Sequence, residues 1–93
     1  MALPLFFHPS VIRSDIPKLH PLVRLRIRRA LRQRIALDPT GCGKALGGTM
    51  KGYRSFRVGD YRVTYDVAPD RIRILRIGHR SEVYHHTEKR LRG

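Results

Sequence analysis

Gly52-Tyr-Arg-Ser-Phe-Arg-Val-Gly-Asp-Tyr-Arg-Val-Thr-Tyr-Asp66 decides the fold of this chain. Its apolar residues repeat every second position, the period of a strand with one buried face. Phe56 and Val58 face one way before Gly59-Asp60 turns the chain. Tyr61, Val63, Tyr65 and Val67 then alternate with Arg62, Thr64 and Asp66, and Ala68-Pro69-Asp70 supplies the next turn. Ile72 and Ile74 keep the alternation, but Leu75 and Ile77 switch parity. A bulge or a strand buried on both faces produces such a switch. The reading is a three-strand antiparallel meander over 53–58, 61–67 and 71–79.

Upstream the period changes. Leu3 to Phe7 is a short apolar run closed by His8-Pro9 and reads as a strand at an edge of the sheet. Ser10 is the expected cap of a short helix carrying Val11, Ile12, Ile16 and Leu19, which Pro17 disturbs. His20-Pro21 opens a second helix, with proline at a first-turn position where its missing N–H costs nothing. Val23, Ile27, Leu31 and Ile35 form one apolar stripe, while Arg24, Arg26, Arg28, Arg29, Arg32 and Arg34 occupy the other faces. Residues 38–52 are rich in glycine and read as a loop. The expected fold is α+β: two N-terminal helices packed on one face of a small antiparallel sheet, in one domain spanning 1–93. The other face of such a sheet is open to solvent.

Lys plus Arg number 20 and Asp plus Glu 7, for a net charge of +13. A small domain so charged repels itself and is drawn to polyanions. Arginine dominates, and its planar fork matches phosphate oxygens better than an ammonium does. Cys42 is the only cysteine, so an internal disulfide is excluded and a reducing, cytoplasmic compartment is expected. No apolar run approaches the roughly 20 residues of a membrane-spanning helix, so no membrane partner is expected.

The open face is where chemistry is expected. Pairing across Gly59-Asp60 brings Arg57 and Arg62 together, and the end of the third strand brings His79 to the same end of the sheet. Arg80 and Tyr84 follow in Ile77-Gly-His-Arg-Ser-Glu-Val-Tyr84. By parity only one of Arg54 and Arg57 shares the open face, and Arg57 is the choice because Phe56 and Val58 read as core. Such a set suits RNA cleavage by its own 2′-hydroxyl: histidine moves a proton, arginine stabilises charge on phosphoryl oxygens, and tyrosine stacks on a base. Carboxylates near His79 are limited to Glu82, which argues against a metal-dependent nuclease. No metal or other cofactor is expected.

Lys44-Ala-Leu-Gly-Gly48, Tyr53-Arg-Ser-Phe-Arg-Val-Gly-Asp-Tyr-Arg-Val-Thr-Tyr65 and the block ending at Tyr84 resemble the RelE toxin superfamily of toxin–antitoxin systems. The likeness spans nearly the whole chain. It implies a microbial RNase fold and a toxin that acts as a ribosome-dependent mRNA endoribonuclease. Carried over, Arg57, Arg62, His79 and Tyr84 look like catalytic residues, with Lys51, Arg54 and Arg80 binding RNA. It also implies an acidic antitoxin, a ribosome and mRNA as partners, and operator DNA reached through the antitoxin complex. The same superfamily includes ParE-like toxins, which act on DNA gyrase and lack that nuclease set; His79 and Tyr84 favour the RelE branch. A third reading is a non-catalytic basic module of a DNA-binding repressor complex.

Overall fold

The computed structural model describes residues 2–81 and Arg90. Five strands form one sheet: β1 Leu5–Phe7, β2 Lys44–Ala45, β3 Arg54–Val58, β4 Tyr61–Ala68 and β5 Arg71–His79. Their spatial order is β1-β5-β4-β3-β2. β1 runs parallel to β5, and every other neighbouring pair is antiparallel. The expected meander and edge strand are therefore present.

A first helical segment joins a wide turn, Val11–Asp15, to a tight one, Ile16–Lys18. Pro17 lies in the tight turn and the segment stops there, with Leu19 extended. The cap differs from expectation. Ser10 makes no side-chain capping bond; His8 Nδ1 instead accepts from the Ser10 N–H at 3.1 Å. The second helix, α1 Pro21–Ala30, continues as a wider turn through Leu31–Ile35. His20 Nδ1 accepts from the Leu22 N–H at 3.1 Å, and Pro21 occupies the first helical position.

Both helices cover the same face of the sheet. Ile27, Leu31 and Ile35 are buried against Val63, Tyr65, Ile72, Ile74 and Ile77, and Val11 and Leu19 join them from the first segment. Val23 is half-buried at the edge of this core. These β-branched and aromatic residues are stiff and fit a pleated surface, so burial and strand propensity agree.

Residues 38–52 are more ordered than a plain loop. Asp38 Oδ1 accepts from the Gly41 N–H at 3.2 Å and caps a one-turn helix, α2 Pro39–Cys42. Next comes β2, which pairs Lys44 with Ser55 and Ala45 with Arg54. The segment is nailed down from the sheet: Arg54 Nη2 donates to the Thr40 and Gly43 carbonyls, both at 2.6 Å. The buried Tyr65 hydroxyl donates to the Pro39 carbonyl at 2.7 Å.

Gly59 turns the β3–β4 hairpin with φ 61°, a conformation other residues rarely adopt. The parity switch in β5 is a bulge. Thr64 pairs with Arg76 but Tyr65 with Ile74, leaving Leu75 as the extra residue.

Candidate nucleic-acid interface

Register assigns every meander side chain to a face. Arg57 lies directly across from Arg62, and Arg62 across from Gly78. Arg57 and Arg62 are out of phase with Phe56, Val63 and Ile77, so they project from the face away from the helices. That face is not open throughout as expected, because Ser55 and Thr64, next along it, are buried. Directly opposed like charges in a sheet are destabilising by up to about 1 kcal/mol. Arg57 Nε donates to the Gly59 carbonyl at 2.9 Å, which holds its head at the hairpin. Among the described residues, neither arginine forms an ion pair.

Gly78 extends this row across β5. A Cβ added there would lie 3.1 Å from Arg76 Nε and 3.3 Å from its Nη2. The Arg76 side chain therefore occupies the room that glycine leaves. Its head is held by Asp15, a carboxylate with only 1% of its side chain exposed. Asp15 accepts from Arg76 Nη1 at 2.7 Å, from the Ile77 N–H at 2.9 Å, and from Arg90 Nη1 and Nη2 at 2.8 and 2.7 Å. Arg90 also donates to the Leu75 carbonyl at 3.0 Å. Asp15 thus gathers two guanidiniums beside the row.

His79 is at the expected end of the sheet but on the other face. It pairs with Tyr61, its ring 5.7 Å from the tyrosine ring and edge-on to it. Arg57, Arg62 and His79 thus share one end of the sheet, as expected, but His79 does not share the face of the two arginines. The bulge at Leu75 inverts parity beyond Ile74 and carries Ile77 and His79 to the helix side. The Ser81 N–H points at His79 Nδ1 from 3.3 Å, and the Ser81 hydroxyl lies 2.8 Å from the same nitrogen. His79 lines a cleft of about 450 Å³ with Lys18, Tyr61, Arg76 and Arg90.

The remaining candidates are dispersed. Arg54 faces the helix side and is committed to the carbonyls of residues 40 and 43. Lys51 is exposed at the opposite end of β3 from the hairpin. Arg80 is exposed, its N–H bonded to the Asp60 carbonyl at 2.9 Å and its Nε 4.0 Å from Asp60 Oδ1, an exposed pair worth little. Tyr84 lies outside the described residues. Among the described residues no cluster of His, Cys, Asp or Glu is placed to hold a metal ion. No described helix is long and apolar enough to cross a membrane.

A family model described as the ParE toxin of the type II toxin-antitoxin system, parDE, matches residues 11–84. The chain belongs to the RelE/ParE toxin superfamily. Among solved structures it is similar to the toxin–antitoxin complex RelBE2 of Mycobacterium tuberculosis, with TM-score 0.79 and 27% identity over 86% of this chain and 100% of that one. A mutant of Escherichia coli toxin RelE in the free state shares the fold, with TM-score 0.77 and 24% identity over 98% and 99% of the two chains. The RelB–RelE complex of Methanococcus jannaschii shares it too, with TM-score 0.68 and 24% identity over 87% and 96%. No curated protein matches the chain in sequence.

Among the described residues, sequence reading missed the buried ion cluster of Asp15, Arg76 and Arg90. A signal was available. Asp15 stands four residues after Val11, on the buried face of the first helical segment, where an acidic residue is seldom found without a partner. Which arginines it would gather was not legible, because they lie 61 and 75 residues away.

Proposed function

We propose that this toxin is a ribosome-dependent mRNA endoribonuclease, working without a metal through attack of the RNA 2′-hydroxyl. One observation carries the reading: the directly opposed Arg57–Arg62 pair on the face away from the helices. A phosphodiester relieves the repulsion of the pair and accepts its planar donors. In the reaction the 2′ oxygen loses its proton and attacks phosphorus. The bond to the 5′ oxygen breaks, and that oxygen takes up a proton. Arg57 and Arg62 stabilise the charge that builds on the phosphoryl oxygens, and Tyr84 stacks on a base. The proton role proposed for His79, which lies at the same end of the sheet but on its other face, is decided by the pH–rate profile of His79→Ala. The ribosome orients the RNA and so supplies much of the rate. Lys51 and Arg80, both exposed, are the further RNA contacts proposed with this reading. Arg54, expected among them, is committed to the Thr40 and Gly43 carbonyls on the helix side.

Two of the similar structures are toxin–antitoxin complexes, which supports an acidic antitoxin as neutralising partner, with operator DNA bound through that complex. A cytoplasmic location follows from the ribosomal target. Primer extension on mRNA with and without ribosomes tests the proposal. Cuts that appear only with translating ribosomes are expected, and equal cutting of naked RNA rejects ribosome dependence. His79→Ala should flatten the pH–rate profile, and an unchanged profile removes its proton role.

The matched family model is a ParE toxin, and this favours a second reading as a DNA gyrase inhibitor. Gyrase poisoning with no mRNA cutting under either condition would establish that reading instead.

A further inference from the structure

A second row crosses the open face four residues along β4 from Arg62, about 13 Å away at strand spacing. Asp66 pairs with Arg73, and Arg73 pairs with Phe6. Tyr53, just before β3, lines the same cleft of about 270 Å³ together with Phe6, Asp66, Arg73 and Leu75. An ion pair thus lies between two aromatic rings. Phe6 is 52% exposed, and the Arg71 guanidinium sits 5.4 Å from its ring centre.

The ion pair has a particular geometry. Arg73 Nε donates to Asp66 Oδ1 at 2.8 Å and Nη2 donates to Oδ2. One edge of the guanidinium is spent on the carboxylate. The other edge, Nη1–H with the second Nη2–H, keeps two parallel donors, and the Arg73 side chain is 56% exposed. Two parallel donors in a fixed plane match O6 and N7 of guanine; adenine offers an amino donor where O6 would be.

We infer that this cleft binds an unstacked guanine base of the RNA whose phosphate the Arg57–Arg62 row holds. The inference rests on the proposed RNA reading. Phe6 and Tyr53 supply the stacking surface, Arg73 reads the base edge, and Asp66 is a positioning residue that holds the fork in plane. The two rows divide the work: the cationic one is blind to sequence, and the aromatic one reads it.

The test uses the full-length toxin, isotope-labelled, and two uncleavable 2′-O-methyl pentanucleotides, UUGUU and UUAUU, with binding followed by amide shifts. UUGUU should bind about tenfold tighter than UUAUU, the scale of one bidentate arginine–guanine contact. Its shifts should include Phe6, Asp66 and Arg73. Arg73→Lys keeps the charge but loses the fork, and Asp66→Asn loosens it. Both variants should lose the preference while keeping the shifts at Arg57 and Arg62. Thermal melts confirm that they fold, as expected for an exposed site. A preference that survives in both variants overturns the inference. Equal affinity of the parent for the two oligonucleotides, with shifts at Arg57 and Arg62, overturns it and leaves the RNA reading standing. Absence of shifts at Arg57 and Arg62 with either oligonucleotide overturns both.

Discussion

Arg62 stands between core-facing Tyr61 and Val63, with its own side chain on the open face opposite Arg57. Its removal takes away one member of a like-charged pair and no core contact. Arg62→Ala should therefore abolish toxicity in cells while the melting temperature stays the same or rises slightly. A folded variant that is still fully toxic removes Arg62 from the site. Tyr65 is the opposite kind of residue, a polar group sealed into the core. Burial pushes its hydroxyl pKa up from 10 to about 12, reinforced by Cys42 beside it and opposed by Arg54. The sign follows from linkage: a raised folded pKa adds stability that is complete below the unfolded value and lost as pH rises through the folded one. Urea midpoints should therefore fall between about pH 10 and pH 12. In Tyr65→Phe this alkaline step should shrink, while stability at neutral pH drops by about 1 kcal/mol for the lost bond to the Pro39 carbonyl.

At the scale of elements, Asp15 joins three parts of the chain: the first helical segment, the end of β5, and Arg90. Breaking a buried ion pair by removing one partner typically costs about 3 kcal/mol or more. Asp15→Asn should lower stability by that order in denaturant unfolding, and a change under about 1 kcal/mol would show that the carboxylate is not the fastener. Helix α1 presents a different pattern. Arg24, Arg28 and Arg32 follow one line along it and border a groove of about 320 Å³ floored by apolar residues such as Leu19, Ile27 and Leu31. Like charges at this spacing oppose the helix mildly. Replacing all three by Gln should leave the isolated domain as stable or more so. It should also weaken ribosome or antitoxin binding and flatten its salt dependence. Unchanged binding of both partners at low and high salt would make this face merely solvated.

For the whole molecule, a net charge of +13 on 93 residues is a standing repulsion that only counter-ions or a partner relieve. Raising the concentration of a simple chloride salt should raise the melting temperature, and a flat or falling response would show that the favourable pairs outweigh the repulsion. How far all this could be read without coordinates depends on the distance over which each interaction acts. Local periodicity was enough for the meander, the stripe at Ile27, Leu31 and Ile35, the hairpin at Gly59, and the open-face position of Arg57 and Arg62. Each of these records burial of one face of one element, and that record is written every two or four residues. Interactions between distant segments were not legible. The gathering of Arg76 and Arg90 by Asp15 and the row from Tyr53 to Phe6 join residues far apart in the chain, and nothing in either local sequence names its partner. His79 shows the boundary most clearly. Its position at the end of β5 was set by its place in the chain, but its face was decided by Leu75, the single extra residue that the bulge inserts before it.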